Sequence, residues 1–324
     1  MTFLRSPKVI AGLAILVFFV LVALFGPLVA PHSANWQAST SGFKADAPSG
    51  RFWLGTDIQQ HDLFSQLLSG GRDTLLIALL AGAFATVLSV VIGVTAGYVG
   101  GVADDLLSAL TNIFLALPGL LILMVVLKAL PQDLTGNPLT IGGVIAMTAW
   151  AWGARVLRAQ TLALRNQDYV EASRVIGERT PRIILFEIVP NLLPILASSF
   201  IFTVIYGIGT YATLAWLGLI GGGSVTWGTM LFEAQSQGAL ISGWWWWYAP
   251  PALCVAAVGV ALALLNFGID EIINPRLTSA RSARGSRGHR VRFVLGLTPV
   301  VRTPVPAPRV ATDLTLDLTK EVAQ

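Results

Sequence analysis

The chain has 324 residues, of which 54% are hydrophobic and only 12% charged, a mixture far from that of soluble domains. It reads as an all-α integral membrane protein with no nucleic-acid partner, because the formal charge of +4 gathers between apolar runs and in the tail, where membrane topology accounts for it. The single cysteine, Cys254, excludes an intramolecular disulfide and a cysteine metal cluster.

A helix needs about 20 apolar residues to cross about 30 Å of hydrocarbon. Six runs near that length occupy 9–30, 74–98, 106–130, 140–157, 192–220 and 248–269. In the first, Arg5 and Lys8 precede the apolar stretch as they would in a secretory signal. A run of about 22 residues exceeds a signal core, however, and reads as a retained anchor. Region 1–30 is thus a cytosolic N-terminus and first span, 31–73 an external segment, 74–277 a five-span core, and 278–324 a basic, proline-rich tail.

In the external segment, "LGTDIQQHDLFSQLLSGGR" carries Leu63, Phe64, Leu67 and Leu68 on one face after Asp57 as a cap, which predicts a helix lying at the outer surface. Asp57, His61 and Asp62 match no strong metal-ligand spacing and read as scattered solvated polar groups. Glycines in the second run, Gly82, Gly93 and Gly97, allow close helix approach.

Between the fourth and fifth runs stands the charged, turn-rich "DYVEASRVIGERTPRIILFEIVPN" at 168–191. Asp168 and Glu171 are spaced as a capping box, Gly177 permits the turn at the helix end, and Thr180 reads as the N-cap of the next helix with Pro181 at its first position, the helix that carries Pro190 and Pro194 back toward the membrane. Ala172, Val175 and Ile176 form an apolar ridge on an amphipathic helix about 15 Å long. By itself such a helix could be no more than an interfacial connector. Further along, "SGWWWWY" at 242–248 reads as a headgroup-level aromatic belt, with an aromatic substrate platform as the alternative.

Lysine and arginine counts set the orientation. With the N-terminus inside, the cytosolic segments hold Arg5, Lys8, the arginines from Arg155 to Arg182, and all basic residues from Arg276 onward. The outside receives only Lys44, Arg51, Arg72 and Lys128. Both termini and the 165–190 loop are therefore expected in the cytosol. The tail reads as disordered, apart from the apolar run "VRFVLGLTPVV".

The 168–191 stretch resembles the EAA loop of bacterial permeases of ATP-binding-cassette (ABC) importers: Glu171, Ala172 and Ser173 stand for Glu-Ala-Ala, Gly177 follows after three residues, and Pro190 lies at the expected distance beyond. "WLGTD" at 53–57 with Asp62 and Ser65, "GYVGGVAD" at 97–104, "WLGLI" at 216–220, "TWGTML" at 226–231 and "NPRL" at 274–277 are similar to the dipeptide, oligopeptide and nickel branch, of the second-permease-subunit type. The similarity runs from about residue 53 to 277. Ser173 replaces alanine, Gln60 and His61 replace glycine and arginine, Asn112 an aspartate, and Tyr211 a glutamate.

The resemblance implies a non-catalytic transport subunit in the bacterial cytoplasmic membrane, with a second related permease, ABC ATPase subunits and an external solute-binding protein as partners. It implies an ATPase-coupling role for Asp168, Glu171, Ala172, Ser173, Arg174, Gly177 and Arg179, and assigns Leu54, Gly55, Thr56, Asp57 and Asp62 to the external segment near the binding protein. ATP and magnesium would be used by the partners. In line with this, the four lysines follow Pro7, Phe43, Leu127 and Thr319, so the glycine-lysine pair of a P-loop is missing from the sequence. An ion-coupled carrier would want ionisable residues in mid-span, and a membrane enzyme would want clustered catalytic groups. The sequence offers little of either.

Overall fold

The computed structural model describes residues 7–38, 44–131, 133–220 and 224–273, and the predicted tail lies outside them. The described residues are helical, and their only β pairing is two isolated bridges, Gln37 with His61 and Thr56 with Asp62. The order is α1 (Pro7–Val29), α2 (Leu63–Ser89), a π turn (Val90–Val94), α3 (Thr95–Val99), α4 (Gly101–Ala116), α5 (Gly119–Ala129) and α6 (Pro138–Leu164). After these come α7 (Asp168–Val175), α8 (Thr180–Ile183), a second π turn (Ile184–Ile188), α9 (Val189–Trp216), α10 (Trp227–Ser236) and α11 (Trp245–Ile273).

Four helical stretches are long and apolar enough to cross a membrane, five if α4 and α5 together make one span. Two of the four, Leu63–Val99 and Thr180–Trp216, run for 37 residues each. At 1.5 Å per residue these reach about 55 Å, well beyond the hydrocarbon thickness, so each carries a segment out of the bilayer. The predicted surface helix is the N-terminal extension of α2. Its cap is Asp62, whose carboxylate accepts from the Phe64 N–H, and not Asp57.

The third predicted run is broken. Leu117 and Pro118 separate α4 from α5 at an angle of 88°. Proline forces the residue before it into extended backbone, and Leu117 indeed sits at ψ 140°. Ahead of the fifth run a π turn precedes Pro190, which has no N–H to give back to the preceding turn.

α6 is the interior helix of the bundle, packing on α2, α3, α4, α5 and α9. Small residues line its contact faces, and with Arg155 and Arg158 in its C-terminal half it is less apolar than the four stretches above. At its crossing with the π turn after α2, a Cβ placed on Gly93 would lie 2.3 Å from the Ala154 carbonyl oxygen. Ser89 ties the same crossing, its hydroxyl lying 2.7 Å from both the Ala85 and Trp150 carbonyls. α1 is part of this bundle, packing on α2 and α11, with Phe19 edge-on to Trp227 at 5.6 Å between ring centres.

The tryptophan run is only partly a belt. Trp245 is exposed, but Trp247 is buried in the core cluster with Leu63, Trp227 and Met230, and Trp244 and Trp246 pack against it. α10, absent from the predicted elements, starts with a reciprocal cap in which Thr226 and Thr229 each accept from the other's backbone N–H.

Candidate functional site

α6 ends at Leu164, and a short turn through Arg165 leads into α7. The N-cap of α7 is Gln167, without a side-chain hydrogen bond, so the predicted Asp168 and Glu171 capping box does not form. Both carboxylates lie inside the first turn, where they act on the helix dipole instead. The next helix is likewise shifted by one residue: Arg179 is its N-cap and Thr180-Pro181 its first two positions.

The C-terminal end of α7 follows expectation closely. Gly177 sits at φ +88°, its N–H donates to the Arg174 carbonyl at 3.0 Å, and the Glu178 N–H donates to the Ser173 carbonyl at 3.1 Å. This crossed pair of bonds is a Schellman motif, and its left-handed residue favours glycine.

The apolar ridge is arranged differently from the prediction. Val170 is the buried residue, fully enclosed with Val94, Tyr98, Leu157, Ile183, Ile188 and Leu192. Val175 and Ile176 point outward, 83% and 80% exposed, and Ala172 is exposed beside them. Arg174, itself exposed, reaches back to α3: its Nε donates to the Tyr98 hydroxyl at 3.1 Å and its guanidinium lies 4.9 Å from the Tyr98 ring centre. Arg165 holds the same end of α3 through the Gly97 carbonyl at 3.1 Å. Arg179 is exposed, and the Ser173 hydroxyl donates to the Tyr169 carbonyl.

A short rod is thus pinned on one side to the ends of α3, α6 and α8, and presents two bare aliphatic side chains on the other. Beside it lies a cavity of ≈ 400 Å³ lined by Ser173, Ile176, Arg182, Ile183, Phe186 and Glu187. Phe186 is 70% exposed there, and Glu178 pairs with Arg182 at 3.3 Å.

The 31–73 segment forms a second polar cluster, and its groups are buried and paired where solvated ones were expected. Asp57 binds His61 twice, through the backbone N–H at 2.8 Å and through Nδ1 at 2.7 Å. Asp62 binds Ser65 at 2.5 Å and the His32 ring at 3.2 Å. Thr56 exchanges hydrogen bonds with Asp46, and Gly55 takes φ +72° against the Asp46 carbonyl and Trp246. Leu54 packs on the core containing Trp247.

The Asp57 carboxylate raises the His61 pKa above its ordinary value, with Glu233 adding to the effect against the opposing pull of burial. A histidine whose folded pKa is raised contributes stability that is complete below about pH 6.5 and is lost as pH rises through the folded value. Thermal unfolding of the purified chain is therefore expected at a higher temperature at about pH 6 than at about pH 8, and the difference should shrink in His61→Ala. An unchanged slope in that variant would assign the pH dependence elsewhere.

A bundle of long apolar helices with a short pinned rod between two of them is the architecture of a polytopic membrane protein. The family profile described as binding-protein-dependent transport system inner membrane component matches residues 89–279, and that described as the N-terminal TM domain of oligopeptide transport permease C matches residues 1–47. The chain belongs to this family of ABC-importer permeases. It is 30% identical over 274 residues to the dipeptide transport system permease protein DppC of Bacillus subtilis, covering 84% of this chain and 83% of that one. It is also 30% identical to the oligopeptide transport system permease protein OppC of the same organism, covering 84% and 87%. Among solved structures, a chain of the MetNI methionine ABC transporter aligns at a TM-score of 0.47 and 22% identity, over 66% of this chain and 95% of that chain.

Proposed function

We propose that this chain is one of two related permease subunits of a peptide importer in the bacterial cytoplasmic membrane. It crosses the membrane six times, counting the bent α4–α5 pair and α6 as one span each, with both termini in the cytosol. The arginine distribution supports that orientation. Peptide cargo is supported by the similarity to dipeptide and oligopeptide permeases. Separate ATPase subunits bind and hydrolyse ATP with magnesium, this chain performs no catalysis, and an external binding protein docks over the paired cluster from Leu54 to Asp62.

The observation that carries the reading is the pair Val175 and Ile176, 83% and 80% exposed on a rod anchored on its other side by Val170 and Arg174. Leaving two aliphatic side chains in water forgoes about 1.5–3 kcal/mol each. That surface is satisfied by a cleft on the ATPase, which grips the rod at Val175, Ile176 and the exposed Glu171, Ala172 and Arg179. Closure of the nucleotide-bound ATPases then shifts the bundle between outward- and inward-open forms. A full swing from about 1:99 to 99:1 needs about 5.5 kcal/mol, within reach of the differential contacts of two docked rods.

The test is the double variant Val175→Asp with Ile176→Asp. Both positions are exposed, so the chain should fold with an unchanged melting temperature, while ATPase retained on affinity-purified permease falls at least tenfold. Full retention, or solute uptake by vesicles holding this chain alone, would overturn the reading.

A further inference from the structure

We propose that the open faces of α4, α6 and α9 form one wall of the solute path, and that Arg155 on this wall takes the carboxylate of the solute in transit. This rests on the importer reading above and adds to it where the path runs and what it recognises.

The wall is built as rungs. Arg158 of α6 meets Asp104 of α4 through Nε at 2.5 Å and Nη2 at 2.7 Å. Three residues further up α6, Arg155 meets Asn112 of α4, with Nη2 at 2.8 Å from the amide oxygen. One turn above, the Trp152 ring lies 4.8 Å from that of Phe202 on α9. Above that, Thr148 and Tyr206 approach the same point: a Cβ on Gly119, just past the break between α4 and α5, would be 3.5 Å from both. From Arg158 to Thr148 the rungs climb about 15 Å of helix. Trp152, Arg155, Phe202 and Tyr206 are all exposed in this chain.

A guanidinium on a helix inside the bilayer cannot rest against lipid tails without a cost of about 2.5–3.5 kcal/mol or more, so this face meets water or protein. Its charge then decides what it takes. Asp104 matches the Arg158 fork with two parallel bonds, which is the geometry guanidinium and carboxylate share. Arg155 is given only a neutral amide oxygen, and among the described residues no carboxylate pairs with it. Its positive charge and most of its five donors are open toward the exposed face. The aromatic pair one turn away supplies an apolar neighbour, so the surface suits a small solute that carries a carboxylate next to an apolar group, as the C-terminal end of a peptide does. A single charge of this kind on an open wall binds weakly enough to release what it has taken.

Two arms test this in the assembled importer in proteoliposomes. The first uses Trp152→Cys in a Cys254→Ser background and compares the labelling rates of an anionic and a cationic methanethiosulfonate reagent. The expected result is labelling from water, several-fold faster for the anionic reagent, with the preference erased by adding Asn112→Asp, which keeps the arginine but supplies it with a carboxylate. Absence of labelling with and without ATP, or no charge preference, would overturn the proposal. The second arm compares import of a tripeptide with a free C-terminal carboxylate and its amidated analogue. Asn112→Asp and Arg155→Gln should each lower the acid-to-amide ratio about tenfold, and a wild-type ratio in both would remove Arg155 from recognition. If the unmodified importer takes up neither peptide, the peptide reading fails and the first arm alone decides the path. Loss of the second permease from Arg155→Gln, with an unchanged ratio in Asn112→Asp, would mean that the arginine's partner is a residue of that subunit, and the proposal would fall.

Discussion

Gly93→Val should abolish the folded bundle, whereas Gly143→Ala, fifty residues on, should leave it intact. At Gly93 the obstacle to a side chain is the backbone carbonyl of Ala154 at 2.3 Å, with the Ala154 Cα at 2.9 Å behind it. Neither atom can rotate away, so a β-branched residue forces α2 and α6 apart along the crossing that Ser89 closes. Overpacking of this kind ordinarily costs about 1–3 kcal/mol, and a clash with main chain at the central helix pair belongs at or beyond the top of that range. Gly143 meets nothing within 4 Å, and alanine there should be neutral or mildly stabilising by reducing the freedom of the unfolded chain. Size-exclusion profile and melting temperature of the two detergent-purified variants decide the matter. If Gly93→Val remains monodisperse with a melting point within two or three degrees of the parent, the crossing is softer than its geometry implies.

Gly93 also illustrates what the sequence makes legible. Small residues in an apolar run announced a close crossing, but not which helix would make it, because that depends on a partner some 60 residues away. The apolar runs placed every long helix to within about a turn at one end at least. They missed the extension of α2 because Leu63–Leu68 is amphipathic and reads as a separate element when it is continuous with that helix. Pro118 was in plain view, yet a run apolar on both sides of a proline carries no sign of whether the helix kinks slightly or turns through a right angle.

At the candidate site, the local chemistry was readable and the tertiary facing was not. Gly177 fell where a left-handed residue was expected, because the Schellman turn is made entirely by neighbouring backbone. Both N-caps were off by one residue, since Gln167 and Arg179 are poor cappers and the chain begins its helices there for reasons of packing. Val170 was passed over in favour of Val175 and Ile176 because all three are aliphatic, and only the cluster around Tyr98 and Leu157 distinguishes an anchor from an exposed tip. Arg174 was expected to reach a partner; its aromatic acceptor lies on α3, 76 positions earlier.

Anchor and tip are separable by mutation, which makes Val170→Asp the sharpest test of how force passes through the rod. Val170 has no solvent exposure and is surrounded by Val94, Leu157, Ile183 and Ile188. A carboxylate introduced among these side chains must be desolvated without a partner or must leave, at a cost of several kcal/mol either way. An eight-residue helix held by one buried valine, one arginine and a glycine turn cannot absorb that, so the rod should detach while the spans stay packed. The expected outcome is a fall of about a hundredfold in solute-stimulated ATP turnover and transport, with ATPase still co-purifying, because Val175 and Ile176 are still available to it. Gly177→Ala should show the same pattern more weakly: no atom lies within 4 Å of the added methyl, so only the strain of a left-handed alanine acts, about 1–2 kcal/mol. The order Val170→Asp below Gly177→Ala below parent, at constant ATPase retention, is what a pinned lever requires. A floppy tether would transmit equally well with its root loosened, and wild-type coupling in Val170→Asp would show that the connection between ATPase and bundle runs through other residues.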